Sequence, residues 1–279
     1  MKSIKSFTDL SCRIATTKQT LRIAVVNPTD KATKEALRQV EKNHLADIIT
    51  INNDNPETAA QEAVRMVRTR NADILMKGLI GTDQLLRAIL NKEYGLLPDG
   101  HVLTHISVAE IPSYPKLLFF SDAAVIPYPT HEQRIEQVRY VAHTCRQLGI
   151  KEPKIALIHC SEKPSGKFPF VERYADIKQM AVSGHFGRCL VDGPLDVKSA
   201  CSKQALKAKG IISTLNGNAD ALIMPDIEAG NAFYKSMTLF AGARTAGMLC
   251  GALCPIIVPS RGDSSEAKFN SILFALSTL

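Results

Sequence analysis

The chain has 279 residues, of which 45% are hydrophobic and 22% are charged, and its formal net charge is +7 at pH 7. This length and composition suit a globular protein with one large core or two medium ones, and they exclude a disordered or fibrous chain. No apolar run reaches the roughly 20 residues that span a bilayer, and the first residues lack the apolar centre of a signal peptide. We therefore expect a cytoplasmic protein that does not contact a membrane.

The cysteines indicate the redox state of the protein, and the net charge indicates the class of its partner. Seven scattered cysteines without a Cys-x-x-Cys pair predict reduced thiols rather than a disulfide framework or a zinc site. The positive net charge indicates an anionic partner, but Lys and Arg are spread along the chain, aromatic residues make up only 6%, and Trp is absent. These features do not favour nucleic acid, and a small polyanion such as a nucleotide or a phosphate ester fits the charge equally well.

Apolar runs and amphipathic stretches alternate along the chain, which predicts an α/β fold with mainly parallel sheets. The run "LRIAVVNP" is a strand, Asp30 can cap the helix "KATKEALRQVEKN", and Pro56 opens the next helix after the strand "ADIITINN". The later predicted strands are "ADILMKGLI", "HVLTHISVA", "KLLFFSDAAV", "KIALIHC", "GRCLVDG", "ADALIMPD" and "CPIIVPS". Most are near-continuous apolar runs, which is typical of strands covered on both faces.

A domain boundary is predicted in the stretch "VIPYPTHEQ". Pro127 and Pro129 hold the chain in an extended form there, and Thr130 can cap a long helix that runs through Leu148. The residues beyond this point are too many for half of one sheet and suffice for a second α/β domain. We therefore expect two domains.

The first candidate site is the segment "MKGLIGTDQLLRAIL". Lys77 ends a strand, Gly78 and Gly81 bracket a tight turn, Thr82 can cap a helix, and Arg87 lies within that helix. Helix starts that follow strands bind anions in α/β proteins, through free N–H groups and the helix dipole. The glycine spacing matches neither a dinucleotide fingerprint nor a Walker loop, and an ordinary helix start with an exposed Arg87 explains the same residues.

The second candidate is "PDIEAGNAFYKSM", which follows the strand "ADALIM". It places Asp226, Glu228, Asn231 and Lys235 near a strand end and in the first turns of a helix. Asn231 and Lys235 are four residues apart and share a face of that helix. Their donors suit a phosphate or carboxyl oxygen, and solvated polar positions are the alternative.

The third candidate is "VPSRGDSSEAK". Ser260 ends an apolar run, Arg261 follows it, Asp263 or Ser264 can cap the last helix, and Glu266 lies in its first turn. A helix cap explains the two acids but not Arg261, because the helix dipole disfavours a cation at that place unless the two share an anion.

Two other patterns are assigned to the structure rather than to chemistry. His101 and His105 have the spacing of metal ligands on a helix, but the segment is rich in β-branched residues and predicts a strand, so no metal is expected. Cys250 and Cys254 are interpreted as small core residues.

Five stretches in chain order resemble the phosphate acetyl- and butyryltransferases. They are "MKGLIGTDQLLRAILNKEYGL", "PKIALIHCSEK", "LVDGPLDVKSA", "GNADALIMPDIEAGNAFYKS" and "AGMLCGALCPIIVPSRGDSSEAK". The forms "VDGPL" and "PDIEAGN" are similar to the butyryl branch. The resemblance covers the chain from about residue 70 onward, and the order of five motifs is more specific than any single glycine loop.

The resemblance implies reversible transfer of a short acyl group, butyryl first, between coenzyme A and inorganic phosphate to give an acyl phosphate. It implies no metal and no bound cofactor, with coenzyme A acting as a substrate, and a homodimer or higher homo-oligomer. It also implies a fold related to the isocitrate and isopropylmalate dehydrogenases with the active site in an interdomain cleft. The first domain would then comprise residues 1–128 and 248–279, and the second residues 129–247.

The same resemblance implies roles for the third candidate segment. A free thiol has a pKa of about 8.5, so a base must take its proton as it attacks the acyl phosphate. Arg261 and Ser260 would stabilise the phosphate and the carbonyl oxygen. In the acetyl branch the base is an Asp six residues beyond the Arg, which here is Ala267. Asp263, with Glu266 as the alternative, is therefore predicted as the base.

Substrate binding is predicted for the other two segments, with Arg87 and Lys235 binding anionic groups. The predicted substrate-binding residues are Lys77, Gly78, Gly81, Thr82, Arg87, Glu228, Asn231 and Lys235.

Three other functions are weighed against this one. Phosphate acetyl transfer and a non-catalytic acyl-CoA sensor keep the same fold, and the sensor is compatible with Ala267. A decarboxylating dehydrogenase that uses nicotinamide and a metal needs clustered Asp ligands, and the sequence has no such cluster.

Overall fold

The computed structural model describes residues 4–16 and 20–279. Its contacts divide the chain into two compact units. We call Ser6–Leu103 with Arg244–Leu279 the terminal unit, and Thr104–Ala243 with residues 4–5 the central unit. Each unit combines helices with a mainly parallel sheet, so the predicted α/β fold class is confirmed.

The terminal unit contains a sheet with the strand order β2-β1-β3-β10-β9, in which all neighbours are parallel except β10 and β9. Its strands are β1 (Arg22–Val26), β2 (Asp47–Ile51), β3 (Ile74–Lys77), β9 (Arg244–Cys250) and β10 (Ile256–Ile257). Its helices are α1 (Phe7–Ala15), α2 (Lys31–Lys42), α3 (Pro56–Arg68), α4 (Thr82–Ile89) and α11 (Ser265–Leu276).

The local sequence explains where these helices begin. The Asp30 carboxylate accepts a hydrogen bond from the Thr33 backbone at 2.9 Å and caps α2. Pro56 is the first residue of α3, where its missing N–H costs nothing, and Asn55 caps that helix. Both starts agree with the sequence prediction. Strand β3 is buried along its whole length, as expected for a strand covered on both faces.

The central unit contains a sheet with the strand order β4-β5-β8-β6-β7, in which only β4 and β5 are antiparallel. Its strands are β4 (Thr104–Glu110), β5 (Leu118–Ser121), β6 (Lys154–Ile158), β7 (Leu190–Leu195) and β8 (Ala221–Ile223). Its helices are α5 (His131–Gln147), α6 (Pro169–Glu172), α7 (Tyr174–Val182), α8 (Val197–Cys201), α9 (Lys203–Lys209) and α10 (Ile227–Phe240). Thr130 caps α5 through a reciprocal contact with Gln133, as predicted.

The compact units have bounds that differ from the predicted domains 1–128 with 248–279 and 129–247. The first division falls between Leu103 and Thr104, because β4 pairs with β5 and β5 pairs in parallel with β8. The prolines near residue 128 therefore mark a loop within the central unit. The second division falls before Arg244, at the start of β9, whereas a bound at 248 would cut this strand.

Strand β9 is an element that the sequence patterns did not predict. Its sequence "RTAGMLC" contains a glycine and two polar residues, and it pairs antiparallel to β10. All seven cysteines are free. In the described part of the chain, no helix is both long and apolar enough to cross a bilayer.

Candidate active site

In the terminal unit, the end of β3 is held tightly against β1. The Gly78 backbone N–H donates to the Val26 carbonyl at 2.8 Å. A Cβ at Gly78 would overlap this same carbonyl oxygen and that of Asn27. Glycine is therefore required at residue 78 by backbone packing, whatever the substrate.

The start of α4 differs from the sequence prediction in one detail. Gly81, rather than Thr82, occupies the cap position, because the Gln84 side chain accepts the Gly81 backbone N–H at 3.0 Å. Thr82 is an exposed first residue of the helix. Arg87 lies in the last turn, and its guanidinium contacts Glu57 at 3.4 Å and Asp83 at 4.0 Å. The structure thus places Arg87 in exposed ion pairs of the terminal unit.

The loop between β10 and α11 forms a closed turn. The Asp263 carboxylate accepts the Ser260 backbone N–H at 2.7 Å, and the Asp263 N–H donates to the Ser260 carbonyl at 3.1 Å. Ser264 then caps α11 by accepting the Ala267 N–H at 3.1 Å. Of the two caps that the sequence left open, Ser264 is therefore the one used. Asp263 instead shapes the turn that carries Arg261.

Arg261 is exposed at the tip of this turn, directly before α11. Among the residues that the structure describes, it has no hydrogen-bond or ion-pair partner, and the same holds for the Ser260 hydroxyl. Glu266 differs, because its carboxylate binds the Arg244 guanidinium at 2.7 Å. The turn therefore presents an unpaired guanidinium beside a hydroxyl and a helix N-terminus, which is the donor set that anions require.

Two buried lysines lie near this turn. Lys77 and Lys268 are only 3% and 4% exposed. The Lys268 ammonium donates to the Asp30 carboxylate and to the Thr33 hydroxyl, both at 2.9 Å. The Lys77 ammonium has a single acceptor in the described chain, the Gly78 carbonyl at 3.3 Å. We call Lys77, Lys268, Arg261, Asp30 and Asp263 the charged cluster.

The charged cluster perturbs the ionisation of its members. Burial lowers the pKa of Lys77, and the positive charges of Arg261 and Lys268 lower it further, against the opposite influence of Asp30 and Asp263. Although burial disfavours the ionised form of Asp30, hydrogen bonds from Thr33 and Lys268 lower the pKa of its carboxyl to about 2. Three basic side chains thus face two carboxylates, so the cluster carries a net positive charge when Lys77 is protonated and then favours an added anion.

The sequence prediction found only part of this cluster. Lys77, Arg261 and Asp263 were predicted site residues, Asp30 was predicted as a helix cap, and Lys268 was not singled out. Lys268 is joined to Asp30 across 238 positions of sequence, so no local spacing could reveal the pair. The local sequence offered only a single lysine near the start of a helix that is continuously apolar from Ile272 to Leu276.

In the central unit, the predicted residues of α10 take different roles. Asn231 and Lys235 lie on this helix, as predicted, but the Asn231 amide donates to the Ala123 carbonyl at 3.1 Å. Lys235 is exposed, with its ammonium 5.2 Å from the Tyr234 ring centroid. The Glu228 charge and its hydrogen bond raise the pKa of the exposed Tyr128. Asn231 therefore has a structural contact, whereas the Lys235 ammonium projects into solvent.

The same unit contains a buried carboxylate that the sequence prediction missed. Asp122, only 2% exposed, follows β5 and accepts the Thr104 hydroxyl at 2.8 Å and the His105 N–H at 3.1 Å. It also accepts three backbone N–H groups of the following turn, at Ala124, Val125 and Ile126. A Cβ at Gly230 of α10 would overlap the Asp122 carbonyl, so glycine permits the close approach of this helix.

These observations define an α/β protein with a charged cluster at the ends of β3 and β10. The cluster includes the unpaired Arg261 of the turn after β10. The family model "Phosphate acetyl/butaryl transferase" matches residues 15–276. The chain belongs to this phosphate acetyl/butyryltransferase family, and it is an acyltransferase. The resemblance predicted from the sequence motifs is therefore confirmed.

Individual proteins agree with this assignment. The phosphate butyryltransferase of Clostridium acetobutylicum is 34% identical, over 98% of this chain and 97% of its own length. A branched-chain phosphotransacylase from Enterococcus faecalis has a similar structure, with a TM-score of 0.82, 29% identity, and coverage of 93% of this chain and 99% of its own. The 4-hydroxythreonine-4-phosphate dehydrogenase of Klebsiella pneumoniae shares the fold alone, with a TM-score of 0.52, 10% identity, and coverage of 93% and 99%.

Proposed function

We propose that this protein catalyses the reversible transfer of a short acyl group, butyryl first, between coenzyme A and inorganic phosphate. The product in one direction is an acyl phosphate, and in the other it is an acyl-CoA thioester. The observation that carries this proposal is the unpaired guanidinium of Arg261 within the charged cluster, in a chain of this family.

The chemistry needs the groups that this turn presents. In the direction of thioester formation, the coenzyme thiol loses its proton and its sulfur attacks the acyl carbon of the acyl phosphate. The bond between that carbon and the bridging oxygen then breaks, and phosphate leaves with the electron pair. Negative charge grows on the carbonyl oxygen and on the leaving phosphate, so a guanidinium and a hydroxyl placed beside them lower the barrier.

We assign Arg261 and the Ser260 hydroxyl to this stabilisation, and the closed turn made by Asp263 to its positioning. Asp263 and Glu266 were predicted as alternative bases, and each carboxylate is already engaged, by the Ser260 N–H and by Arg244. We further propose a cytoplasmic protein that assembles as a homodimer or higher homo-oligomer, with no bound cofactor.

Purified protein is expected to form acyl phosphate from butyryl-CoA, with free thiol released in step and strictly dependent on phosphate. The measurement is thiol release with a disulfide reagent across acetyl-, propionyl-, butyryl- and isobutyryl-CoA. The highest kcat/KM with acetyl-CoA would instead make the protein an acetyltransferase. Tight binding of acyl-CoA without phosphate-dependent turnover on any of the four would contradict the proposed function and favour a sensor.

Lys235 and Arg87 are proposed to bind anionic groups of the substrates. Lys235→Ala and Arg87→Ala are each expected to raise the KM for coenzyme A or phosphate by roughly 10- to 150-fold, which corresponds to about 1.5 to 3 kcal/mol for a hydrogen bond to a charged group. Steady-state kinetics with each substrate varied in turn measure the effect. Arg188→Ala, which removes an exposed ion pair with Glu152, is the matched control. Unchanged KM values in both test variants would mean that Lys235 and Arg87 are ordinary surface charges that do not bind the substrates.

A further inference from the structure

Lys77 differs from the other buried lysine of the charged cluster in its partners. Both side chains are almost fully buried, but Lys268 donates to a carboxylate and a hydroxyl, whereas Lys77 has only the carbonyl of its neighbour Gly78 in the described chain. An ammonium can donate three hydrogen bonds, and a buried one without a carboxylate is costly. The neutral amine, which carries a lone pair, suits this environment better.

The two nearest positive charges disfavour the ammonium form of Lys77, as burial does, and two carboxylates oppose them. Arg261 of the turn after β10 and Lys268 of α11 repel a positive charge on Lys77, while Asp30 at the start of α2 and Asp263 of the turn attract it. Asp30 is already neutralised by Lys268, with which it shares a hydrogen bond at 2.9 Å. Burial and this balance lower the pKa of Lys77 from its usual value.

The other acids of this region are less suited to accept a proton. Asp30, whose pKa is about 2, holds a proton too weakly to draw one from a thiol of pKa about 8.5. Asp263 accepts the Ser260 N–H at 2.7 Å, and Glu266 binds Arg244 at 2.7 Å. The chain therefore needs a proton acceptor of another kind.

We propose that the neutral amine of Lys77 is the general base that accepts the proton of the coenzyme A thiol. The inference rests on the proposed function and deepens it. The S–H bond breaks, its proton joins Nζ, the sulfur forms the thioester bond, and phosphate leaves. The leaving phosphate takes up the proton held on Nζ as the bond from the acyl carbon to the bridging oxygen breaks, so it departs as the HPO4²⁻ dianion beside Arg261, and Lys77 is neutral again. In the reverse direction, the ammonium returns its proton to the departing thiolate.

The main test replaces Lys77 with two residues that cannot accept a proton. Lys77→Met keeps a buried straight side chain, and Lys77→Arg keeps the positive charge, because a guanidinium stays protonated. Both are expected to lower kcat at pH 7 by about 100-fold or more, the usual contribution of a general base, with the KM for acyl phosphate within about threefold of wild type. Lys198→Met, at an exposed lysine, is the matched control.

The pH profile separates a base from a phosphate ligand. In Lys77→Met, turnover is expected to rise about tenfold per pH unit up to the thiol pKa of about 8.5, because only the spontaneously formed thiolate reacts. The wild type is expected to level off at lower pH. A wild-type pH profile in Lys77→Met would overturn the proposal. Wild-type turnover in Lys77→Arg, combined with a raised KM for acyl phosphate in Lys77→Met, would also overturn it and would make Lys77 a phosphate ligand.

A second measurement does not depend on activity or on the variants folding. The Nζ resonance of Lys77 in wild-type protein labelled with ¹⁵N-lysine should titrate below the ordinary lysine value of about 10.4. Titration at or above that value would also overturn the proposal. A wild type without phosphate-dependent acyl transfer would refute the proposed function itself, whereas an active wild type with an unaffected Lys77→Met variant would refute the base alone.

Discussion

Arg261→Ala is expected to lower kcat by about 100-fold or more while the free energy of unfolding stays within about 0.5 kcal/mol of wild type. The physical reason is that Arg261 is exposed and has no partner in the described chain, so its removal breaks no structural contact. Its charge is placed to stabilise the negative charge that develops on the substrate. The measurements are initial rates at saturating substrates and urea unfolding.

The alternative role of Arg261, as part of the helix start, predicts the opposite outcome. In that case the variant would unfold more easily and keep near-normal turnover. The structure already provides the cap of α11 through Ser264, so Ser264→Ala should carry that stability cost, about 1 kcal/mol, instead. Arg188→Ala controls for the loss of an exposed guanidinium. A normal kcat in Arg261→Ala would exclude transition-state stabilisation by this residue.

Much of the fold followed from the sequence because the strands are continuous apolar runs bounded by recognisable caps. Asp30, Pro56 and Thr130 each begin a helix where their side chains predict it. Strand β9 was missed because it opens with Arg244 and Thr245 and Gly247 interrupts its short apolar part; its pairing with β10 is antiparallel. Pairing between strands distant in sequence compensates for a weak local pattern.

Residues of the candidate site could be predicted when their neighbours in the sequence indicated a role. Residues that only the fold brings together could not be predicted. Arg261 stood out because a cation before a helix lacks a local explanation. Lys268 and Asp30 meet only because α11 packs beside the start of α2. Asn231 stays a predicted ligand, and its amide donates to the Ala123 carbonyl, a contact that the local sequence does not indicate. A polar residue on a helix face therefore indicates a site only when its backbone contacts are known.

Asp122→Ala is expected to give the largest loss of stability in the central unit. The Asp122 carboxylate, only 2% exposed, accepts four backbone N–H groups and the Thr104 hydroxyl. Removing it leaves these donors without their acceptor, and those of Thr104, His105 and Ile126 are buried. Each such group costs about 1 to 3 kcal/mol, and because neighbouring losses are not additive we expect about 4 kcal/mol in total.

Urea unfolding followed by circular dichroism measures this loss of stability. Two further variants, Asp122→Asn and Asp176→Ala, serve as comparisons. Asp122→Asn keeps one acceptor oxygen but turns an NH₂ group toward the remaining donors, so it should fall between wild type and Asp122→Ala. Asp176→Ala, which removes a half-exposed carboxylate paired with Arg173, should change the free energy of unfolding by no more than about 1 kcal/mol. A loss below about 1 kcal/mol in Asp122→Ala would mean that water replaces the carboxylate, and the turn after β5 would then owe its shape to the packing of Gly230 against it.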